Sequence, residues 1–237
     1  MYFILKIILF FSISASSLSK EDVKLNLQIE DIIEEYLLKN PEIIIKSLEN
    51  YRIKQEAEVQ ENSKVLIESY YKKKVYESLP YTGNATGSII VTEFIDYNCG
   101  YCKKTLQVIS DLLVRNANIK IVFIDFPILS ETSYIAAKGA LAAFEQGAYF
   151  KYHSELLKRN NEFSESYIIE LAKDLKLNIN KFKKDMSSDL VAEKLQKNIE
   201  FARELNVRGT PSFIINKKIH PGAYTLNKLE EIIKNNL

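Results

Sequence analysis

An α/β domain preceded by an all-helical module is the fold class this sequence predicts, and three observations predict it. Two apolar, β-branched runs, Ile89–Ile95 and Ile119–Phe126, flank one amphipathic helical pattern, Thr105–Val114. That is the order of a βαβ unit, and near-continuous apolar strands belong in a buried parallel sheet. Residues 23–79 hold no glycine and one proline, Pro41, and repeat apolar residues at helical spacing. Between these regions, 80–88 gathers Pro80, Gly83, Asn84, Thr86 and Gly87, a turn-rich linker that places the expected domain boundary.

In chain order, the first segment reads as a targeting signal. Lys6 precedes the apolar run Ile7–Ile13 and the small residues Ser14–Ser19, so 1–19 is expected to be a secretory signal peptide, cut between Ala15 and Lys20. Its apolar core falls short of the roughly 20 residues that span a bilayer; the competing reading is an uncleaved anchor.

Residues 20–79 follow as a helical module. Leu25, Ile29, Ile32, Ile33, Tyr36 and Leu37 share one helical stripe. Asn40-Pro41 breaks it, and Pro41 with Glu42 behind it suits the first turn of a new helix. Ile44, Leu48 and Tyr51 continue the stripe, which fades over 54–64, where only Ala57 and Val59 are apolar. Val65, Leu66, Tyr70 and Val75 resume it. Such helices cannot bury their faces alone. The reading we favour is a self-associating stalk, making the chain a homo-oligomer, with the weak middle as a solvated spacer. The competing reading is a helical hairpin folded onto its own domain.

Residues 89–237 read as strand, helix, strand, helices, strand, strand, helix. Ile89–Ile95 and Ile119–Phe126 are the first two strands. Ser130–Ala148 is a small-residue helix built for close packing, and two or three more helices fill 149–205. Ser212–Ile215 is a strand, a short one follows near Ile219, and Leu226–Ile233 is the closing helix. Helices inserted at about 130–205 between an early βαβ and a late ββα unit give a thioredoxin-like core with a helical insertion. The composition agrees: 237 residues, 46% hydrophobic and 27% charged, suit one good core plus an appendage. A net charge of +1 points to no nucleic-acid or membrane-surface partner.

The chain's two cysteines, Cys99 and Cys102, lie two residues apart where the first strand gives way to its helix. Cys99 at a helix start faces unpaired N–H groups and the positive end of the helix dipole, which favour a thiolate. Cys102, one turn deeper, suits a resolving thiol. A structural disulfide closing so short a loop stabilises by only about 2 kcal/mol. A zinc site needs four ligands, and the chain adds only two distant histidines, His153 and His220, so no metal is expected. Two inert buried thiols are the remaining alternative. The position at a helix start favours a redox pair, and an exported dithiol can cycle through a disulfide.

With these residues placed, the sequence resembles a known family. Glu93-Phe94-x-Asp96-Tyr97-x-Cys99-Gly100-Tyr101-Cys102, then Gly209-Thr210-Pro211-Ser212-Phe213, then Gly222-Ala223-Tyr224 are similar to motifs of the DsbA-like bacterial thiol–disulfide oxidoreductases. Asn40-Pro41-Glu42-Ile43 and the helix after it resemble, more loosely, the oligomerising stalk of the ScsC-like branch. The resemblance implies that Cys99 is the nucleophile and Cys102 the resolving cysteine. It implies that Pro211 takes a cis bond against them and offers neighbouring backbone to a substrate strand. Thr210 then tunes thiol stability and release, and Glu93 is a buried acid that exchanges protons with Cys102. The alternatives are an ordinary strand carboxylate for Glu93 and a plain strand residue at Thr210. Gly100 and Tyr101 carry no charge. Lys103 stands where the family often has histidine; Lys103 and Lys104 either add positive potential near Cys99 or face solvent. His153 reads as packing, and His220 as a turn residue.

The implied activity is thiol–disulfide exchange on exported, cysteine-containing proteins in the periplasm, in the isomerase direction. It needs no cofactor beyond the Cys99–Cys102 disulfide itself, and it implies a membrane redox partner that reoxidises or reduces the dithiol. A monomeric disulfide donor and a non-redox binding module are the alternative classes.

Overall fold

The computed structural model describes residues 20–159 and 163–235. The expected signal segment 1–19 lies outside the described residues. The chain divides into two compact units, Met1–Glu56 and Ala57–Leu237.

Within the first unit, α1 (Lys20–Lys39) ends one residue before α2 (Pro41–Lys72) begins. Asn40 makes the break: its backbone N–H and its side-chain amide both donate to the Tyr36 carbonyl, at 3.0 and 2.8 Å. Pro41 then opens α2, since its missing N–H is one that the first helical turn leaves unpaired anyway. Most apolar side chains among the described residues of this unit are exposed, Ile32 at 65% and Leu48 at 63%. α2 runs without interruption through 54–64. Good helix formers hold it there, helped by spaced ion pairs such as Arg52–Glu56 at 3.6 Å.

The second unit begins with the last turns of α2. Ile67 and Tyr70 are buried, the Tyr70 hydroxyl lies 3.1 Å from Thr92 Oγ1, and its ring stacks on Phe201. A short 3₁₀ turn, Val75–Ser78, leads to β1 (Tyr81–Gly83). The division at Glu56/Ala57 thus differs from the boundary expected at 80–88. Of the resumed stripe, Tyr70 is buried against Thr92 and Phe201, whereas Val65 and Val75 stay exposed, and three residues of the expected linker are a strand. β1 pairs antiparallel with β3, Tyr81 opposite Val122. Gly83 has φ +85°, and a Cβ there would sit 2.6 Å from the Ile119 carbonyl oxygen, so the strand's end requires glycine.

The five-stranded sheet has the order β1-β3-β2-β4-β5. β2 (Ile89–Ile95) and β3 (Ile119–Asp125) are parallel, joined by α3 (Gly100–Arg115). β4 (Ser212–Ile215) and β5 (Lys218–Pro221) continue the sheet antiparallel. Between β3 and β4 lie α4 (Glu131–Phe144), α5 (Tyr149–Lys158), α6 (Glu165–Asp174), α7 (Ile179–Met186) and α8 (Asp189–Glu204). α9 (Leu226–Lys234) closes the unit. This is the thioredoxin-like core with a helical insertion that the sequence predicts.

Side-chain caps start the inserted helices: Ser130, Ser164, Asn178 and Ser188 each accept from a backbone N–H three residues on. The small residues of α4 allow close approach, and a Cβ on Gly139 would stand 2.7 Å from Ile168 Cγ2 on α6. The insertion differs from expectation in its helix count, with α4 ending at Phe144 and four helices after it. His220 lies in β5 opposite Phe213, rather than in a turn.

Candidate active site

β2 delivers the site. It is buried along nearly its whole length and runs parallel to β3, so Glu93 on its inner face is 3% exposed. Glu93 sits in register with Phe123 on one side and Phe213 on the other. Beyond Ile95 the chain turns through Asp96–Cys99. Asp96 fastens this turn: Oδ1 accepts from the Asn98 N–H and the Ser133 hydroxyl, both at 2.7 Å, and Oδ2 accepts from the N–H groups of Ile128 and Leu129. One carboxylate thereby ties the cysteine loop to the entrance of α4. Asn98 adds a second tie, its amide donating to the hydroxyls of Ser130, Thr132 and Ser133.

Cys99 is the N-cap of α3, and Cys102 lies one turn inside. Both are free thiols, Cys99 6% exposed and Cys102 fully buried. Gly100 and Tyr101 between them are exposed. The Thr210–Pro211 bond is cis. It brings the Thr210 carbonyl to 3.0 Å from the Cys99 thiol, which donates to it. The Thr210 hydroxyl is buried and has no partner among the described residues while Cys99 is a thiol. It is a donor that the thiolate can recruit.

The two sulfurs are thereby driven apart in acidity. The Cys99 thiol is lowered to about 5, first by the hydrogen bond from the Cys102 thiol, against the cost of burial, then by the Thr210 hydroxyl and the backbone N–H groups of Cys102 and Tyr101. Burial pushes Cys102 far up, and its bond to Cys99 and the nearby Glu93 charge push the same way; the Asp96 N–H alone opposes. Glu93 is raised to about 8 by burial and by repulsion from a Cys99 thiolate. At neutral pH the site therefore holds a charged outer sulfur, a protonated inner sulfur and a largely neutral carboxyl. The groups that depress Cys99 are the partner thiol, Thr210 and the helix start. Lys104 stands over the Tyr101 ring, 5.4 Å from its centre.

The structure thus gathers Cys99, Cys102, Glu93, Thr210 and Pro211 in one place, with Gly100 and Tyr101 on its rim. A groove of about 310 Å³ beside them is lined by the chain around the cis proline, including Val207, Arg208, Gly209, Pro211 and Ile219. His153 is not part of the thiol site. It is buried among the rings of Phe123, Tyr149 and Phe150, and burial lowers it to about 3. Two features escaped the sequence reading. One is the fastening role of Asp96, whose partners other than Asn98 lie more than 30 positions away. The other is a buried polar cluster of Asp125, Tyr97, Tyr149 and His153; its one local signal is an acid closing a strand whose other charged residue is Lys120. Among the described residues, no group of three or more His, Cys, Asp or Glu is arranged to hold a metal. No described helix is long and apolar enough to cross a membrane.

Comparison with known proteins places this geometry. Residues 28–58 match the copper resistance protein ScsC N-terminal domain. The thiol-disulfide exchange protein alpha-DsbA2 from Wolbachia pipientis is 31% identical, with a TM-score of 0.68, over 74% of this chain and 96% of that one. A linker-deletion and N6K mutant of Proteus mirabilis ScsC shares the fold over 94% of this chain and 98% of that one, at 23% identity and a TM-score of 0.68. Na(+)/H(+) antiporter NhaA 3 from Salinispora tropica is 28% identical over 153 residues, which are 64% of this chain. The match spans about a quarter (24%) of that protein's length. Residues 90–234, more than half the chain, match the DSBA-like thioredoxin domain, and with the cysteine pair set against a cis proline on this sheet, the chain belongs to the DSBA-like thioredoxin family of thiol–disulfide oxidoreductases.

Proposed function

We propose that the protein is a disulfide isomerase of exported, periplasmic proteins, working through a mixed disulfide on Cys99. The observation that carries this reading is the Cys99 thiol, lowered to about 5 and seated against the Thr210 carbonyl, with Cys102 protonated behind it. A Cys99 thiolate attacks a client disulfide. A bond forms between Cys99 and one client sulfur, and the other client sulfur leaves with the electron pair. That client thiolate, or another in the same client, then attacks the client sulfur bonded to Cys99, so that a client disulfide forms and the electron pair returns to the Cys99 thiolate. In stalled complexes Cys102 attacks Cys99 Sγ instead, forming the Cys99–Cys102 disulfide and releasing the client thiolate. The sulfur pair carries the two electrons, so the reaction is written without metal or organic cofactor. A membrane redox partner keeps the dithiol in its working state.

The exposed apolar residues of α1 and early α2 support a homo-oligomer built through 20–56. Several thiol sites in one assembly can hold a misfolded client while its bonds exchange. A second reading, a disulfide donor, is favoured by the same acidity of Cys99: a stabilised thiolate favours the reduced pair and makes its disulfide an oxidant. A value of about 5 lies between those of a mild thioredoxin and a strong oxidase.

The test is reactivation of a scrambled-disulfide client by the full-length chain, together with the equilibrium of Cys99–Cys102 against glutathione. Reactivation that needs Cys99 and proceeds from the reduced pair supports the isomerase. Rapid oxidation of reduced clients without reactivation of scrambled ones supports the donor. Full activity in Cys99→Ser would overturn both.

A further inference from the structure

The groove beside the thiols is lined by apolar side chains, Val207, Pro211, Ile219 and Pro221 among them, and Arg208 is the one ionisable residue of its lining. Thr210 belongs to the same lining, and its carbonyl lies 3.0 Å from the Cys99 sulfur. A client bonded to Cys99 therefore has the groove next to its cysteine. The segment that carries Arg208 is fixed on both sides. Asn206 takes a left-handed conformation, φ +55°, just beyond α8, and its N–H donates to the Arg203 carbonyl at 2.8 Å; asparagine tolerates that conformation better than most residues. On the other side, the Ser212 hydroxyl donates to the Gly209 carbonyl at 2.7 Å, and the Gly222 N–H donates to the Pro211 carbonyl at 2.9 Å.

Arg208 itself is exposed, and its guanidinium is oriented from one edge. Nε donates to Asn206 Oδ1 at 3.1 Å. That is its one hydrogen bond among the described residues, and no described carboxylate lies within ion-pair distance of it. The N–H groups of Nη1 and Nη2 are left for a visiting group, and their fork matches the two oxygens of a carboxylate. A second cation at the thiol rim has the same sign, Lys104 over the exposed Tyr101 ring. Glu93 and Asp96, the acids nearest the thiols in sequence, are buried.

We propose that Arg208, oriented by Asn206, is a specificity-determining residue. It pairs with the carboxylate of an acidic residue two positions from the client cysteine that Cys99 attacks, so the preferred clients are acidic around that cysteine. The spacing follows from chain geometry. An extended client advances about 3.3 Å per residue, so a residue two places from its cysteine comes level with a side chain two places from Thr210. The inference rests on the exchange reading above and names its client class. In the step it governs, the Cys99 thiolate attacks the client sulfur, the Cys99–client bond forms, the client's own disulfide bond breaks, and the electron pair leaves on the departing sulfur. The pair at Arg208 forms before that step, and it offsets the repulsion between an acidic segment and the thiolate.

The experiment uses the reduced full-length chain and two peptides, Glu-x-Cys-x-Glu and Lys-x-Cys-x-Lys, with neutral residues at x and the cysteine held in a thiopyridyl mixed disulfide. Attack on the peptide sulfur releases thiopyridone, whose absorbance gives the second-order rate. The quantity read is the rate for the glutamate peptide divided by that for the lysine peptide. The reactivity of Cys99 cancels within each ratio, and that of the peptides is common to all chains, so a difference between chains reads the groove. From the native chain to Arg208→Gln the ratio is expected to fall by about fivefold, the scale of one exposed charge pair. In Arg208→Glu it falls further, and the gap between native and Arg208→Gln narrows as salt is raised. Asn206→Gly, which suits the positive φ and frees the guanidinium, loses part of the preference; an unchanged ratio there overturns the orienting role of Asn206. Because Arg208 is exposed, its variants should melt with the native chain. The same ratio in the native chain and in Arg208→Gln overturns the inference and leaves the exchange reading standing. No Cys99-dependent release of thiopyridone from either peptide overturns the exchange reading itself, and this inference with it.

Discussion

Cys99 and Cys102 carry the same side chain, and two intervening residues separate a thiol lowered to about 5 from one raised far above its ordinary 9.0. The difference lies in what each sulfur meets. Cys99 meets donors, namely a thiol, a hydroxyl and two N–H groups; Cys102 meets apolar surroundings and an acid. Thr210 tests this account. Thr210→Val keeps the branched shape and removes the hydroxyl, so the Cys99 thiol should rise above 5 when titrated by the ultraviolet absorbance of its thiolate. Because that hydroxyl has no partner in the dithiol form, the melting temperature should hardly change. A titration unmoved by the substitution would assign the acidity to the Cys102 thiol and the helix start. The pair also ties stability to pH. Cys99 is depressed in the folded state, so above pH 5 the unfolded reduced chain binds more protons there than the folded one. The reduced form gains stability from this group as pH rises from about 5 to about 9. Glu93, raised to about 8, acts oppositely and costs stability as pH rises from its ordinary value toward 8. The disulfide form lacks the Cys99 effect and keeps only the part of the Glu93 effect that burial causes. The melting temperature of the reduced form relative to the oxidised form should therefore increase with pH between about 5 and 9, which calorimetry on both forms can follow. At this scale the sequence was legible where chemistry is local: two cysteines at a helix start, and an acid six positions before them. Asp125 and Tyr149 were not legible, because their bond joins residues 24 positions apart across two elements.

Elements were legible where a periodic pattern was long, and illegible where packing alone makes them. The break at Asn40, the restart at Pro41, the apolar strands β2 and β3 and the small-residue helix α4 follow from propensity and spacing. β1 does not: Tyr81, Thr82 and Gly83 have no alternation to read, and become a strand only because β3 presents an edge. The end of α2 is similar. Its stripe was visible, but the sequence does not say whether that stripe meets a second copy or the chain's own sheet. The structure gives the second answer for Ile67, buried in the core of the second unit, and for Tyr70, buried against Thr92 and Phe201. Ile67→Ala should accordingly destabilise the second unit by about 2–5 kcal/mol, the range for emptying a buried aliphatic site. Leu48→Ser, on the exposed part of the same helix, should change that unit's stability by less than about 0.5 kcal/mol. Denaturant melts followed by tyrosine fluorescence can compare them. Equal losses would mean that α2 and the sheet unfold as one block and that burial does not distinguish its two ends.

On the scale of the whole molecule the unresolved stripe is the first one. Ile29, Ile32, Ile33 and Tyr36 on α1, with Ile44 and Leu48 on α2, are 44% to 65% exposed, the surface on which the proposed association would rest. Spacing of three and four places α1's members on one face, the arrangement by which a helix docks on another helix. If a homo-oligomer forms there, charge on that face should dissolve it without touching the thiols. Ile33→Glu combined with Leu48→Glu is expected to reduce the mass measured by sedimentation to that of a single chain, while the Cys99 titration stays near 5. Isomerase activity then separates the two roles of the assembly. If clients are held by several sites at once, scrambled-client reactivation should fall by about 100-fold or more in the monomeric variant, the scale of a lost second attachment, with the rate toward a small peptide disulfide unchanged. A native chain that already sediments as a monomer would remove the assembly from the mechanism. Reactivation unaffected by dissociation would leave each thiol site working alone, with the exposed helices serving a different contact.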